Sequence, residues 1–82
     1  MLEMRPGCEC CDRDLPADLA GAFICSFECT WCRDCTEQVL KGTCPNCGGT
    51  LSPRPPRARI KWDRYPPSTV RIFKPEGCRS GF

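Results

Sequence analysis

Histidine is absent from the 82 residues. That removes the side chain most often used as a general base and the usual nitrogen ligand of zinc. No stretch approaches the ~20 apolar residues of a membrane span. The first ten residues, MLEMRPGCEC, hold no apolar core of a secretory signal, so export is not expected. Large apolar side chains are few, and nine prolines and seven glycines dilute them further. A chain this short buries a modest share of its surface, so a hydrophobic core alone is a weak foundation. Cysteine, by contrast, is plentiful. Ten in 82 residues make it a structural framework, and a covalent or coordinate staple is expected. In a chain without an export signal the expected compartment is the reducing cytoplasm, where paired thiols bind metal rather than each other.

Charge divides the chain in two. Residues 1–50 carry four basic and eight acidic side chains, whereas residues 51–82 carry eight basic ones against Asp63 and Glu76. The expected organisation is a cysteine-rich domain over residues 1–51 and a basic, proline-rich tail over 52–82, docked on the domain or on a partner. In the first part, GAFICS and ECTW read as two short strands of a hairpin, and CRDCTEQVLKG as one short helix. Asp34 or Thr36 would cap that helix, Val39 and Leu40 would face inward, and Gly42 would stop it. In the tail, SPRPPRAR should run extended because each proline removes a backbone donor. ARIKWD and STVRIFK have strand-like composition and could pair around RYPP.

Eight of the cysteines form four pairs: Cys8/Cys11, Cys25/Cys29, Cys32/Cys35 and Cys44/Cys47. Two or three intervening residues let two thiolates converge on one tetrahedral ion, and four thiolates close a structural site. Disulfides across such short spans would close small loops that add little stability. A redox C-x2-C belongs where a strand meets a helix in a βαβ unit, which this chain is too short and too proline-rich to build. Two zinc ions held by the eight cysteines are therefore expected. Sequential, nested and interleaved pairings all remain open on the spacing, with interleaving mildly favoured because only two residues separate Cys29 from Cys32.

The series C-x2-C-x13-C-x3-C-x2-C-x2-C-x8-C-P-x-C resembles the spacing of RING-type domains, with Cys29 where those usually have histidine. Trp31 matches the aromatic common before the fifth ligand, and Pro45 the proline of the last pair. The resemblance covers residues 8–47. It implies a small α+β domain of RING-like or treble-clef type with a cross-brace: Cys8, Cys11, Cys32 and Cys35 on one zinc, and Cys25, Cys29, Cys44 and Cys47 on the other. At closer range CECCDRDLP, ICSFECTWC and CPNCGG resemble a family of small uncharacterised bacterial proteins, domain of unknown function 1272. That likeness implies zinc and a bacterial cytoplasm and supplies no activity. Ubiquitin ligation is not expected. Gly48 and Gly49 stand near where an active RING often has a basic residue, Cys10 replaces a common aliphatic one, and no tryptophan lies between Val39 and Cys44.

The remaining residues divide between core and surface. Cys10 reads as a small buried hydrophobe, although C-E-C-C offers two ligand registers, and Cys78 as a free thiol near the terminus. Trp31, Phe23 and Phe27 are expected to pack over the metal sites. Trp62 and Tyr65, beside Lys61 and Arg64, suit either stacking on bases or packing on protein. Two tetrathiolate zinc sites would bring the acidic part to a formal charge near −8, a surface that attracts the tail and repels nucleic acid. No nucleophile constellation or phosphate loop is visible, so no catalysis is expected. The function expected is a non-catalytic interaction module with a protein partner, a second copy of the chain included. A nucleic-acid-binding zinc finger protein that uses the basic tail is the alternative.

Overall fold

A computed structural model describes residues 2–75 and residue 78. Its sheet has three short antiparallel strands: β1 (Ala22–Ile24), β2 (Thr30–Cys32) and β3 (Ser52–Pro53), in the order β2-β1-β3. The hairpin register sets Ala22 opposite Cys32, Phe23 opposite Trp31 and Ile24 opposite Thr30. Its turn is closed by the Glu28 amide donating to the Cys25 carbonyl at 3.0 Å, with Glu28 at φ 63°. β3 comes from the proline-rich tail. Pro53 has no N–H to give, and an edge strand is where a sheet tolerates that loss.

After β2 the chain turns through a short wide-turn helix, α1 (Cys35–Val39). The Leu40 amide donates to the Cys35 carbonyl, and the Gly42 amide reaches back to Thr36, a left-handed exit made by Lys41 and Gly42 at positive φ. Leu40 is buried as expected, but Val39 is exposed because the wide turn rotates it outward. Asp34 makes no side-chain cap and instead pairs with Arg13 at 3.1 Å.

Trp31 is fully buried at the centre of the core, with Leu15, Ala22, Leu40 and Leu51 around it. The rest of that core among the described residues is cysteine: Cys8, Cys25, Cys32, Cys35, Cys44 and Cys78. Sulfur therefore fills the space that aliphatic side chains fill in larger domains. Phe23 packs at its margin, whereas Phe27 is 71% exposed at the hairpin tip, contrary to the expected packing.

The tail departs from the strand pair suggested by its composition. Arg59–Lys61 form a 3-10 turn and residues 66–74 take no regular structure. The governing contacts are polar. Arg54, only 3% exposed, donates to the Arg5 carbonyl at 2.7 Å and the Leu15 carbonyl at 2.9 Å. Arg57 donates to the carbonyls of Leu2 and Tyr65 at 2.6 and 2.8 Å. Arg71 lies across Gly7, where a Cβ would come within 2.7 Å of its guanidinium, and pairs with Asp12 at 3.0 Å and Asp14 at 2.9 Å. Cys10 and Cys78 are joined by a disulfide, so neither the buried-hydrophobe reading of Cys10 nor the free-thiol reading of Cys78 holds. Distance along the chain hid the partnership: the two cysteines have a sequence separation of 68. No helix among the described residues is long and apolar enough to cross a membrane.

Candidate metal centres

Two turns of the same design carry the first and last cysteine pairs. At the first, the Cys8 amide donates to the Arg13 carbonyl and the Asp12 amide to the Cys8 carbonyl, at 3.0 and 2.9 Å. At the other, the Cys44 amide donates to Gly49 and the Gly48 amide to Cys44, both at 2.8 Å. A single antiparallel bridge closes each turn, Gly7 with Asp14 and Thr43 with Thr50. Each turn brings two cysteines to one side, and the hairpin and α1 deliver the rest.

The thiols converge in two groups. Sγ atoms of Cys8, Cys11, Cys32 and Cys35 all lie within 4.8 Å of one another, and so do those of Cys25, Cys44 and Cys47. The groups alternate along the chain: the first and third pairs meet, and the fourth pair meets Cys25. Cys29 stands outside the second group as defined by that mutual distance. It lies beside Cys25, whose thiol it perturbs, and its Sγ accepts from Asn46 Nδ2 at 3.4 Å. The structure therefore brings seven of the eight expected ligands into close groups and sets the eighth next to one of them. Each group could hold a metal ion.

The thiols differ in how they carry charge. Burial pushes Cys35 well above the ordinary thiol range, and the neighbouring thiols Cys32, Cys8 and Cys11 add to it. Burial likewise pushes Cys44 up to about 12. At Cys25 burial opposes the thiolate, but the amides of Phe27 and Cys29 and the thiols of Cys29 and Cys47 outweigh it, so its pKa falls. Cys29 is raised, by burial first. A cation would reverse the unfavourable terms, since it needs the thiolates that burial and crowding resist. Amide donors already point at sulfur at two further positions: Cys35 to Cys32 and Gly49 to Cys47, each at 3.4 Å.

One family profile, that of proteins of unknown function DUF1272, matches residues 1–57. The chain belongs to this family. It is also 59% identical over 78 residues to an uncharacterised protein of Rhizobium meliloti, which spans 95% of this chain and 93% of that protein. No solved structure matches the chain at a significant level.

Glu9 has no counterpart in the sequence reading of this DUF1272 chain, yet it joins the two groups. Its side chain is buried between Cys8 and Cys10, and its carboxylate accepts from the Thr30 amide at 3.3 Å, Arg5 at 3.4 Å and Asn46 Nδ2 at 3.1 Å. Asn46 in turn lies between Cys44 and Cys47. Glu9 also donates its amide to the Thr30 carbonyl at 3.0 Å, closing the outer edge of β2. The available signal was electrostatic: an acid between two ligands of an anionic thiolate site must have a structural partner of its own.

Proposed function

We propose that this chain is a non-catalytic, two-zinc interaction module of RING-like or treble-clef type, working in the bacterial cytoplasm on a protein partner. The alternation of the two cysteine groups carries the reading. Alternating pairs in a chain of this size form a cross-brace, in which each ion ties distant segments together. Thiolates at the ~2.3 Å of zinc–sulfur bonds form a tetrahedron with edges of about 3.8 Å. Cys11 and Cys32 Sγ lie 3.7 Å apart, which fits. Cys29 is assigned as the fourth ligand of the second ion, reached by a small movement of its side chain away from Asn46. Four protein thiolates leave no position for water or substrate, so the zinc ions are structural.

A protein partner is favoured over nucleic acid by how the basic side chains are used. Arg54 and Arg57 clamp backbone carbonyls, Arg71 is paired with two aspartates, and Arg59 sits 5.1 Å over the Trp62 ring. Among the described tail residues that leaves Lys61, Arg64 and Lys74 as the cations without a side-chain contact to another residue, and the Trp62 ring, suited to base stacking, is already engaged by Arg59. Meanwhile Phe27, Ile60, Val70 and Phe73 are exposed apolar side chains on a single copy.

Native mass spectrometry of the reduced full chain tests the metal assignment: two zinc ions per chain are expected, and chelation should abolish the fold. A single tightly bound ion, or a fold that resists chelation, overturns it. Binding to mixed-sequence DNA and RNA across a salt series tests the partner class. Weak binding is expected, whereas tight binding that falls steeply with salt would favour nucleic acid.

A further inference from the structure

We infer that Cys10 and Cys78 form a dedicated thiol–disulfide exchange site, separate from the eight metal-ligating cysteines, whose co-reactant is a low-molecular-weight disulfide of the glutathione type. Four contacts lay the end of the tail along the first cysteine turn before the sulfurs meet. Arg71 grips Asp12 through both its carboxylate and its carbonyl, at 3.0 and 2.7 Å, and takes Asp14 at 2.9 Å. The Lys74 amide donates to the Glu9 carbonyl at 2.8 Å. Four residues later Cys78 reaches Cys10 with a Cα–Cα distance of 5.7 Å, inside the range a disulfide spans. These contacts do not involve sulfur, so they also hold the two thiols close in the reduced chain. There the Pro75 carbonyl oxygen, 3.1 Å from Cys78 Sγ, can accept a hydrogen bond from the thiol. Closing a loop of 68 positions would otherwise be improbable in a chain without such guides.

The exchange balances in two steps. Cys10, the more exposed of the pair, attacks the small disulfide RSSR. Its sulfur bonds to one RS group, the RS–SR bond breaks, and one RSH leaves with the proton lost by Cys10. Cys78 then attacks Cys10 Sγ, the mixed bond breaks, and the second RSH leaves with the proton of Cys78. Two protein thiols are oxidised to one disulfide and RSSR is reduced to two RSH. The consequence for the first metal site rests on the zinc reading above. Cys10 lies between Cys8 and Cys11 and is the one thiol that could compete with Cys11 for the ion. Oxidation removes that competitor and fixes the C-x2-C register.

The test equilibrates the reduced, zinc-loaded full chain in glutathione buffers of graded oxidising strength, followed by an acid quench, alkylation and peptide mass spectrometry. Reactive thiols should fall from ten to eight, with a single Cys10–Cys78 cross-link and unchanged zinc content. Cys78→Ser should stop at a glutathione adduct on Cys10, and Cys10→Ser should yield no cross-link. Formation of the cross-link in a chain that binds no zinc would support the exchange site while removing the metal reading. Zinc retained with no Cys10–Cys78 cross-link at any buffer ratio, or with Cys10 joined to a ligand cysteine, would overturn the proposal.

Discussion

The turns at Cys8–Arg13 and Cys44–Gly49 share a hydrogen-bond pattern and differ in almost every residue between the cysteines. The second turn is conformationally self-sufficient. Pro45 presets its first corner, and Gly48 takes φ 77° where a side chain would be strained. The first turn places Asp12 at the equivalent position, φ 60°, and is held from outside, by Arg71 on Asp12, Lys74 on Glu9 and the bond from Cys10 to Cys78. The same geometry is reached once through local residue choice and once through distant partners. The sites should therefore fail in different ways: the first when the tail is perturbed, the second only when its own turn or ligands change.

Metal loss should have the largest effect and should erase the difference. With cysteines making up much of the core, chelation is expected to abolish the circular-dichroism signature of the fold in both turns. Single ligand changes sharpen the comparison. Cys32→Ser should remove one cadmium resonance set and leave that of Cys25, Cys44 and Cys47 intact, and Cys44→Ser should do the converse. Loss of both sets from either change would mean that the sites are not separable. Cys29→Ala should weaken the second site less than Cys44→Ala, since Cys29 starts outside the close group.

Protons should compete with the metal. Burial raises Cys44 from an ordinary 9.0 to about 12, so its thiol holds the proton that a metal ion must displace to bind the thiolate. Zinc binding therefore releases protons, and affinity should rise with pH and fall on acidification. Competition against a chelator at graded pH, with the released protons counted, checks the sign, and an affinity indifferent to pH would contradict it.

Glu9→Ala comes next. It leaves the buried Thr30 amide without its side-chain acceptor and takes one partner each from Arg5 and Asn46, and a loss of about 2–3 kcal/mol is expected in the zinc-loaded chain. Glu9→Gln keeps an acceptor for Thr30 and should recover part of that loss. Arg54→Ala should cost about 2 kcal/mol by releasing two backbone carbonyls. Equilibrium denaturation measures both, and a change within 0.5 kcal/mol, roughly the scatter of an ordinary surface substitution, would show that the buried polar bridge is incidental.

The contrast between the turns also explains what could be read in advance. Cysteine spacing is a local property, so the four pairs, the hairpin and the short helix were visible in the chain, and the three-stranded antiparallel sheet with its clustered thiols agrees with a small metal-binding α+β domain. The partnerships of Cys10 with Cys78 and of Glu9 with Asn46 depend on segments far apart in sequence, and no periodicity announces them. The tail misled for a related reason. Ile60, Val70 and Phe73 have strand-like composition, but two isolated strands bury too little to persist, and arginine-to-carbonyl contacts decide the path instead.

The smallest expected effect discriminates best between the two turns. Gly48→Ala adds a side chain that meets nothing within 4 Å, so its cost is backbone strain alone, about 1 kcal/mol. Asp12→Gly should relieve strain of the same kind at the equivalent position but also removes the carboxylate that Arg71 holds. Its measured gain should therefore be smaller than the Gly48→Ala loss. In an Arg71→Ala background the carboxylate has already lost that partner, and Asp12→Gly should then show nearly the whole relief. Denaturation of the zinc-loaded single and double variants forms the cycle. Equal gains in both backgrounds would mean that Arg71 does not hold the first turn, and both turns would then have to be regarded as locally encoded.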